Sequence, residues 1–220
     1  MAMLTIKVWA CNPVGANCYV LSDETGEACI VDAGQAAEYE FADLEEYIRE
    51  GGLSPRLLLF THGHFDHVWG CSRVASTYGL EPRLHRDDWQ LAADFASQLV
   101  MFFGERFARK ASNSVQKVYL PLCDGERLAF GAHSLEVIAT PGHSPGGVCL
   151  YEKSEGVLLT GDTLFRGSVG RTDLGGGDMR ALFNSVSSRL LPLPDDTRVL
   201  PGHGPESTIG YERDYNPYLF

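Results

Sequence analysis

An apolar run at residues 57–60 leads straight into Thr61-His62-Gly63-His64-Phe65-Asp66-His67, and this junction constrains the chain more than any other stretch. It gathers three of the seven histidines and one aspartate. A strand that ends in a turn presents alternate side chains in one direction, so His62 and His64 can bind one cation together. The same backbone, turning into a helix near His67, then offers Asp66 and His67 to a second cation. Imidazole and carboxylate are donors that zinc and other borderline first-row metals accept. Cysteine is absent from the cluster, which separates it from closed, thiolate-rich structural zinc sites; an open His/Asp set is the catalytic pattern. Four metal-capable residues at this spacing behind a strand are far more specific than a lone histidine pair in a polar loop.

With 220 residues the chain suits one well-buried α/β domain spanning 1–220 and is short for two of typical size. Its net charge of −11 disfavours a nucleic-acid partner, which requires a basic, phosphate-neutralising surface. No run approaches the roughly 18 apolar residues of a membrane span, and the first ten residues do not resemble a signal peptide, so no membrane partner and a cytoplasmic location are expected. The six cysteines form no CxxC pair and sit mostly in apolar, strand-like surroundings, as reduced core residues do.

Strands are expected at residues 4–9, 17–21 and 28–31, with a hairpin turn at 23–26. The third strand ends in Asp32-Ala33-Gly34, where a carboxylate can be a turn former or a support for a neighbouring site. Residues 36–50 read as a helix with Phe41, Leu44 and Ile48 on one face, stopped by Gly51-Gly52. A further helix is expected to run unbroken from Asp66 to about Tyr78. Residues 86–117 form a helical insertion in which Phe95, Leu99, Phe102, Phe103 and Phe107 pack on the strands or wall an acyl pocket. Strands resume at 126–130, 134–139, 147–151 and 156–159, and 179–191 reads as a helix. His85 reads as structural, and His133 as a solvent-facing turn residue. Three later strand-end turns carry chemistry-bearing residues: His143 in Thr140-Pro141-Gly142-His143, Asp162 in Thr160-Gly161-Asp162, and His203 in Pro201-Gly202-His203-Gly204.

The pattern HxHxDH at His62, His64, Asp66 and His67 resembles the signature of the metallo-β-lactamase superfamily, and more narrowly of its glyoxalase II-like branch. The resemblance covers residues 17–203. It implies a four-layer αββα sandwich in the α/β class with a site at one edge. It also implies that His143 completes the first metal's ligands and His203 the second's. Asp162 would bridge the two metals, and Asp32 would sit beneath the metal loop and orient its ligands. The implied cofactor is a pair of divalent ions, zinc first, with iron or manganese as alternatives. The implied activity is hydrolysis of a thioester, S-lactoylglutathione or a related acyl-thiol, by a hydroxide held between the metals, with Asp66 and Asp162 as the catalytic carboxylates.

Two departures qualify the match. Larger glyoxalase II enzymes follow the last ligand with a helical domain that helps bind glutathione, whereas 17 residues follow His203. Their glutathione-contacting lysine and tyrosine are replaced by Arg166-Gly167-Ser168-Val169-Gly170-Arg171-Thr172-Asp173, in which Arg171 is the candidate for a substrate carboxylate. The Gly170-Arg171-Thr172-Asp173 stretch also resembles the persulfide dioxygenases of the superfamily, which keep one iron, here on His62, His143 and Asp162. The diiron electron-transfer members prefer glutamate where His64 stands. A small-molecule substrate is expected, and the aromatic insertion and tail leave room for a homodimer.

Overall fold

Why the strands stack as two sheets follows from which faces they must bury. The computed structural model describes residues 3–111 and 119–219. The first sheet runs in the order β1 (Thr5–Cys11), β2 (Ala16–Ser22), β3 (Glu27–Val31), β4 (Ser54–Leu59), β5 (Pro82–His85), β6 (Leu120–Leu122). β1 to β3 are antiparallel, and β3 to β6 pair in parallel. The helices α1 (Glu38–Glu50), α2 (Phe65–Val68) and α3 (Cys71–Tyr78), then α4 (Trp89–Ala93), α5 (Phe95–Phe103) and α6 (Glu105–Ala111), make the crossovers. The second sheet contains β7 (Arg127–Phe130), β8 (His133–Ala139), β9 (Val148–Glu152), β10 (Val157–Gly161), β13 (Arg198–Pro201) and β14 (Ser207–Thr208). A short hairpin of β11 (Leu164–Phe165) and β12 (Ser168–Val169) follows β10, and α7 (Met179–Ser185) and α8 (Ile209–Tyr215) complete the order.

β2 is buried along its whole length, and its alternate residues serve two cores. Tyr19 and Leu21 pack between the sheets with Leu135, Leu150 and Leu159, whereas Cys18 and Val20 face outward with Phe41, Leu44 and Ile48 of α1. On the far side, Leu158 and Val199 pack with Leu182's neighbour Val186 and with Ile209 of α8. This is the αββα sandwich. Each large apolar side chain so buried contributes about 1.5–3 kcal/mol. α1 is held at its start by Glu40, whose carboxylate accepts from the Ala36 and Ala37 amides at 2.6 and 3.0 Å.

Several expectations change. The helix from Asp66 does not run unbroken: it splits into α2 and α3 around Trp69-Gly70. The Gly70 amide donates to Ala33 O at 2.8 Å, and the Asp66 carbonyl is taken by Asn12 Nδ2, also at 2.8 Å, so two groups that would close a helical turn are engaged elsewhere. His133 is not solvent-facing: it is 5 % exposed at the start of β8, with Nδ1 3.3 Å from Glu152 Oε1. The segment at 179–191 leaves α-helical geometry at Val186–Leu190, a π-helical turn. The insertion is helical as far as Ala111; its residues 112–117 lie outside the described residues. Five of the six cysteines are buried, Cys123 is exposed, and all six are free thiols.

Two parallel strand pairs set the site. β3 and β4 end side by side and release Asp32 and the 61–67 turn; β10 and β13 do the same for Asp162 and His203. The sheets are tied together at this edge, where the Val148 amide donates to Thr61 O at 2.9 Å and the Asn17 amide to Gly202 O at 2.7 Å.

Candidate metal centre

The turn after β4 is anchored from below. Asp32 accepts the Thr61 amide at Oδ1 (2.7 Å), and at Oδ2 it accepts the Thr61 hydroxyl (2.7 Å) and His67 Nδ1–H (2.9 Å). Asp32 adopts φ of 54°, a left-handed conformation that aspartate tolerates better than most residues. Because Nδ1 of His67 is committed to Asp32, Nε2 is aimed at the carboxylates, 3.4 Å from Asp162 Oδ1 and 3.7 Å from Asp66 Oδ2. His143 is oriented in the same way: Nδ1 donates to Arg171 O at 2.7 Å, and Nε2 lies 2.8 Å from His64 Nδ1.

Three overlapping groups of donor atoms result, each with its atoms within 4.8 Å of one another: His62, His64 and His143; His62, His67 and Asp162; Asp66, His67 and His203. All seven side chains singled out as metal ligands in the sequence therefore converge. Asp162 lies between the outer groups, with Oδ2 at 3.5 Å from His143 Nε2 and 3.6 Å from His203 Nε2. His203 Nε2 also stands 3.1 Å from Asp66 Oδ2. Gly202 leaves room for this packing, since a Cβ there would collide with Asp162 Oδ1 and come within 2.8 Å of His67 Cε1.

The donor set suits divalent cations. His62 Nε2, His67 Nε2 and Asp162 Oδ1 are buried without a hydrogen-bond partner, a costly arrangement for a polar core and the expected one for atoms that point at a cation. Burial drives His62 well below the usual imidazole range, reinforced by His67 and His143. Burial also takes His64 down to about 3, with His143 beside it adding to the shift. Neutral imidazole is the form that ligates. For Asp162 burial works against the charge, but the adjacent His67, His143 and His203 hold its carboxyl below the usual range. His67 lies well above its ordinary value because Asp66, Asp162 and Asp32 outweigh the opposing effect of its burial.

A residue with no ligand spacing of its own joins the two halves of the first group. Asp88, wholly buried just before α4, accepts the Gly63 amide and the Ser144 hydroxyl at Oδ2 (2.9 and 2.7 Å) and the Gly146 amide at Oδ1 (2.6 Å). It thereby couples the His62/His64 turn to the His143 turn. Gln98 of α5 adds to this support by accepting the Phe65 amide at 3.0 Å. In sequence Asp88 looks like an ordinary helix-start acid. Asn17, which donates to Pro201 O and Gly204 O at 2.9 and 3.0 Å, does carry a signal: an amide inside an otherwise apolar strand.

Above the donors opens a cleft of about 360 Å³, with Phe65, Phe102, Phe165, Val169 and Leu174 among its walls and Arg171 at its rim. Arg171, the sequence candidate for a substrate carboxylate, spends its fork on its own loop, with Nε 2.6 Å from Asp173 Oδ1 and a terminal nitrogen 2.8 Å from Oδ2.

The profile of the metallo-beta-lactamase superfamily matches residues 11–203. A hydroxyacylglutathione hydrolase, GloC of Haemophilus influenzae, is 34 % identical over 214 residues, covering 92 % of both chains. Among solved structures, the BLEG-1 B3 metallo-beta-lactamase superposes with a TM-score of 0.87 at 36 % identity, covering 98 % of this chain and 99 % of its own. TTHA1623 in a di-iron-bound form gives 0.79 at 37 %, covering 97 % and 100 %.

Proposed function

Because the chain belongs to the metallo-β-lactamase superfamily, we propose that it is a binuclear metal-dependent hydrolase that cleaves a thioester, as a hydroxyacylglutathione hydrolase does. The observation that carries the reading is the run of three overlapping His/Asp donor groups, with Asp162 in the middle one, beneath a cleft. Two divalent ions held there supply a nucleophile at neutral pH, by lowering the pKa of water from 15.7 toward about 7, and polarise a substrate carbonyl. His62, His64 and His143 would hold one ion and Asp66, His67 and His203 the other, with Asp162 available between them.

The side chains divide the remaining work. Asp66, with Oδ2 turned to His203, can accept a proton from water and orient it toward the acyl carbon. Addition of water and rupture of the C–S bond give a carboxylic acid, which ionises, and a thiolate. A thiol has a pKa near 8.5, so its thiolate leaves without a dedicated acid. Asp32 and Asp88 touch no substrate; they hold the ligands at fixed positions.

GloC's likeness supports a thioester over other carbonyl substrates, and the TTHA1623 likeness leaves iron beside zinc as the native metal. The likeness to BLEG-1 makes a β-lactam the competing substrate. A mononuclear iron dioxygenase would use only His62, His143 and Asp162, whereas Asp66, His67 and His203 also form a complete group. The buried free cysteines support a reducing, cytoplasmic setting. The test is hydrolysis of S-lactoylglutathione, of an uncharged acyl thioester and of a chromogenic β-lactam by zinc- and iron-loaded protein, with Asp66→Ala as the control. Thioester cleavage abolished in the variant is the expected result; β-lactam cleavage alone, or equal rates in the variant, would refute the reading.

A further inference from the structure

The cleft's lining is more specific than its floor. Phe102 of α5 and Phe65 of α2 form one wall, their ring centroids 5.0 Å apart. Phe65 is packed against Phe103 and Trp69, each at 5.8 Å, so this wall is an aromatic stack of which Phe102 is the most exposed member, at 39 %. Phe165, Val169 and Leu174 also line the cleft. Among the described residues Arg171 is the one arginine or lysine lining the cleft, and Asp173 already engages it with two hydrogen bonds. A thiol bearing several carboxylates would surrender hydration to enter and would meet no unpaired guanidinium or ammonium group among the described lining residues. An apolar chain, by contrast, gains from each methylene it buries.

Resting on the thioester reading above, we propose that the preferred substrate carries an apolar acyl chain, seated against Phe102, and that Phe102 sets the chain length accepted. The insertion between β5 and β6 is then a specificity element. Its aromatic content places Phe102 in the lining of the cleft that His64 and Asp66 also line. The reaction is the hydrolysis already described; the acyl chain leaves as a carboxylate and the thiol as a thiolate.

The test uses acetyl, butyryl and hexanoyl thioesters of one uncharged thiol, N-acetylcysteamine, and the same acyl groups on glutathione, with metal-loaded protein. kcat/KM is expected to rise about fourfold for each methylene that enters the cleft. The glutathione thioesters are expected to be poorer substrates than the uncharged ones at every chain length. Phe102→Ala should flatten the chain-length slope, and Phe102→Trp should reject hexanoyl while accepting acetyl. Binding of non-hydrolysable alkyl thioethers of the same lengths, followed by calorimetry, should reproduce the slope without turnover. A flat chain-length dependence, or a slope that persists in Phe102→Ala, would overturn the acyl assignment while leaving thioester hydrolysis intact. Failure to cleave any thioester would refute the underlying thioester reading, and the acyl assignment with it.

Discussion

Asp32 and His67 are joined by a 2.9 Å hydrogen bond between Oδ2 and Nδ1, in which a residue at the end of one strand dictates which nitrogen a residue 35 positions later turns toward the candidate metals. Both side chains are shut off from solvent, at 2 % and 0 % exposure, so the pair does not exchange its partners with water. Orientation of this kind raises ligand basicity and fixes the tautomer.

Asp32→Asn tests that link. Asparagine tolerates the left-handed backbone at this position, so the turn is retained, but its single oxygen cannot serve all three donors, and its NH2 must face either the Thr61 amide or the Thr61 hydroxyl and His67 Nδ1–H. A 10- to 100-fold loss of affinity for the ion on the Asp66/His67/His203 side is expected, read by metal titration with the fold checked by circular dichroism. Unchanged affinity would show that His67 is held by other means.

Asp88→Ala removes one carboxylate from three donors, leaving the Gly63 and Gly146 amides and the Ser144 hydroxyl without their acceptor. Each unsatisfied buried group costs about 1–3 kcal/mol, so the loss is at least about 3 kcal/mol, or about 6–12 °C in Tm. Asp88→Asn keeps one acceptor and should fall between. A melting temperature unaffected by either change would contradict the coupling of the two histidine turns.

Asp23 links the two sheets at the opposite edge. Its carboxylate accepts the Thr25 amide at 2.9 Å, the Ala132 amide at 2.6 Å and the Thr25 hydroxyl. Burial works against its charge, but these donors and nearby His133 hold its carboxyl below the usual carboxylate value. A depressed folded-state pKa contributes stability that is present above the unfolded value near 3.9 and is lost as pH falls through the folded value. The stability gap between the wild type and Asp23→Asn should therefore be full at neutral pH and shrink below about pH 4, as measured by urea unfolding across pH. A gap independent of pH would mean that the carboxylate is not the source.

Much of this architecture is legible in the chain itself, for a local reason. His62, His64, Asp66 and His67 share one turn, and the strands of the sandwich alternate or run apolar because each has one or two faces to bury. What is not legible depends on distant partners. The donors to Asp88 lie 25, 56 and 58 residues away, and nothing around Asp88 distinguishes it from a helix-start acid. The break between α2 and α3 is set by Asn12, 54 residues before Asp66. His133 reads as a turn residue because its partner Glu152 stands at the far end of the following strand, β9, 19 positions on. Arg171 lines the cleft, but its pairing with Asp173 lies in its own loop and turns the expected substrate from carboxylates to apolar groups.

Seven side chains, His62, His64, Asp66, His67, His143, Asp162 and His203, would between them hold two cations. The most direct measurement is the number of metal ions per chain, by elemental analysis after equilibration with zinc and removal of excess, for the wild type, His203→Ala and His64→Ala. Two ions in the wild type and one in each variant, with the fold retained, is the predicted result. One ion in the wild type, unchanged by His203→Ala, would contradict the binuclear account.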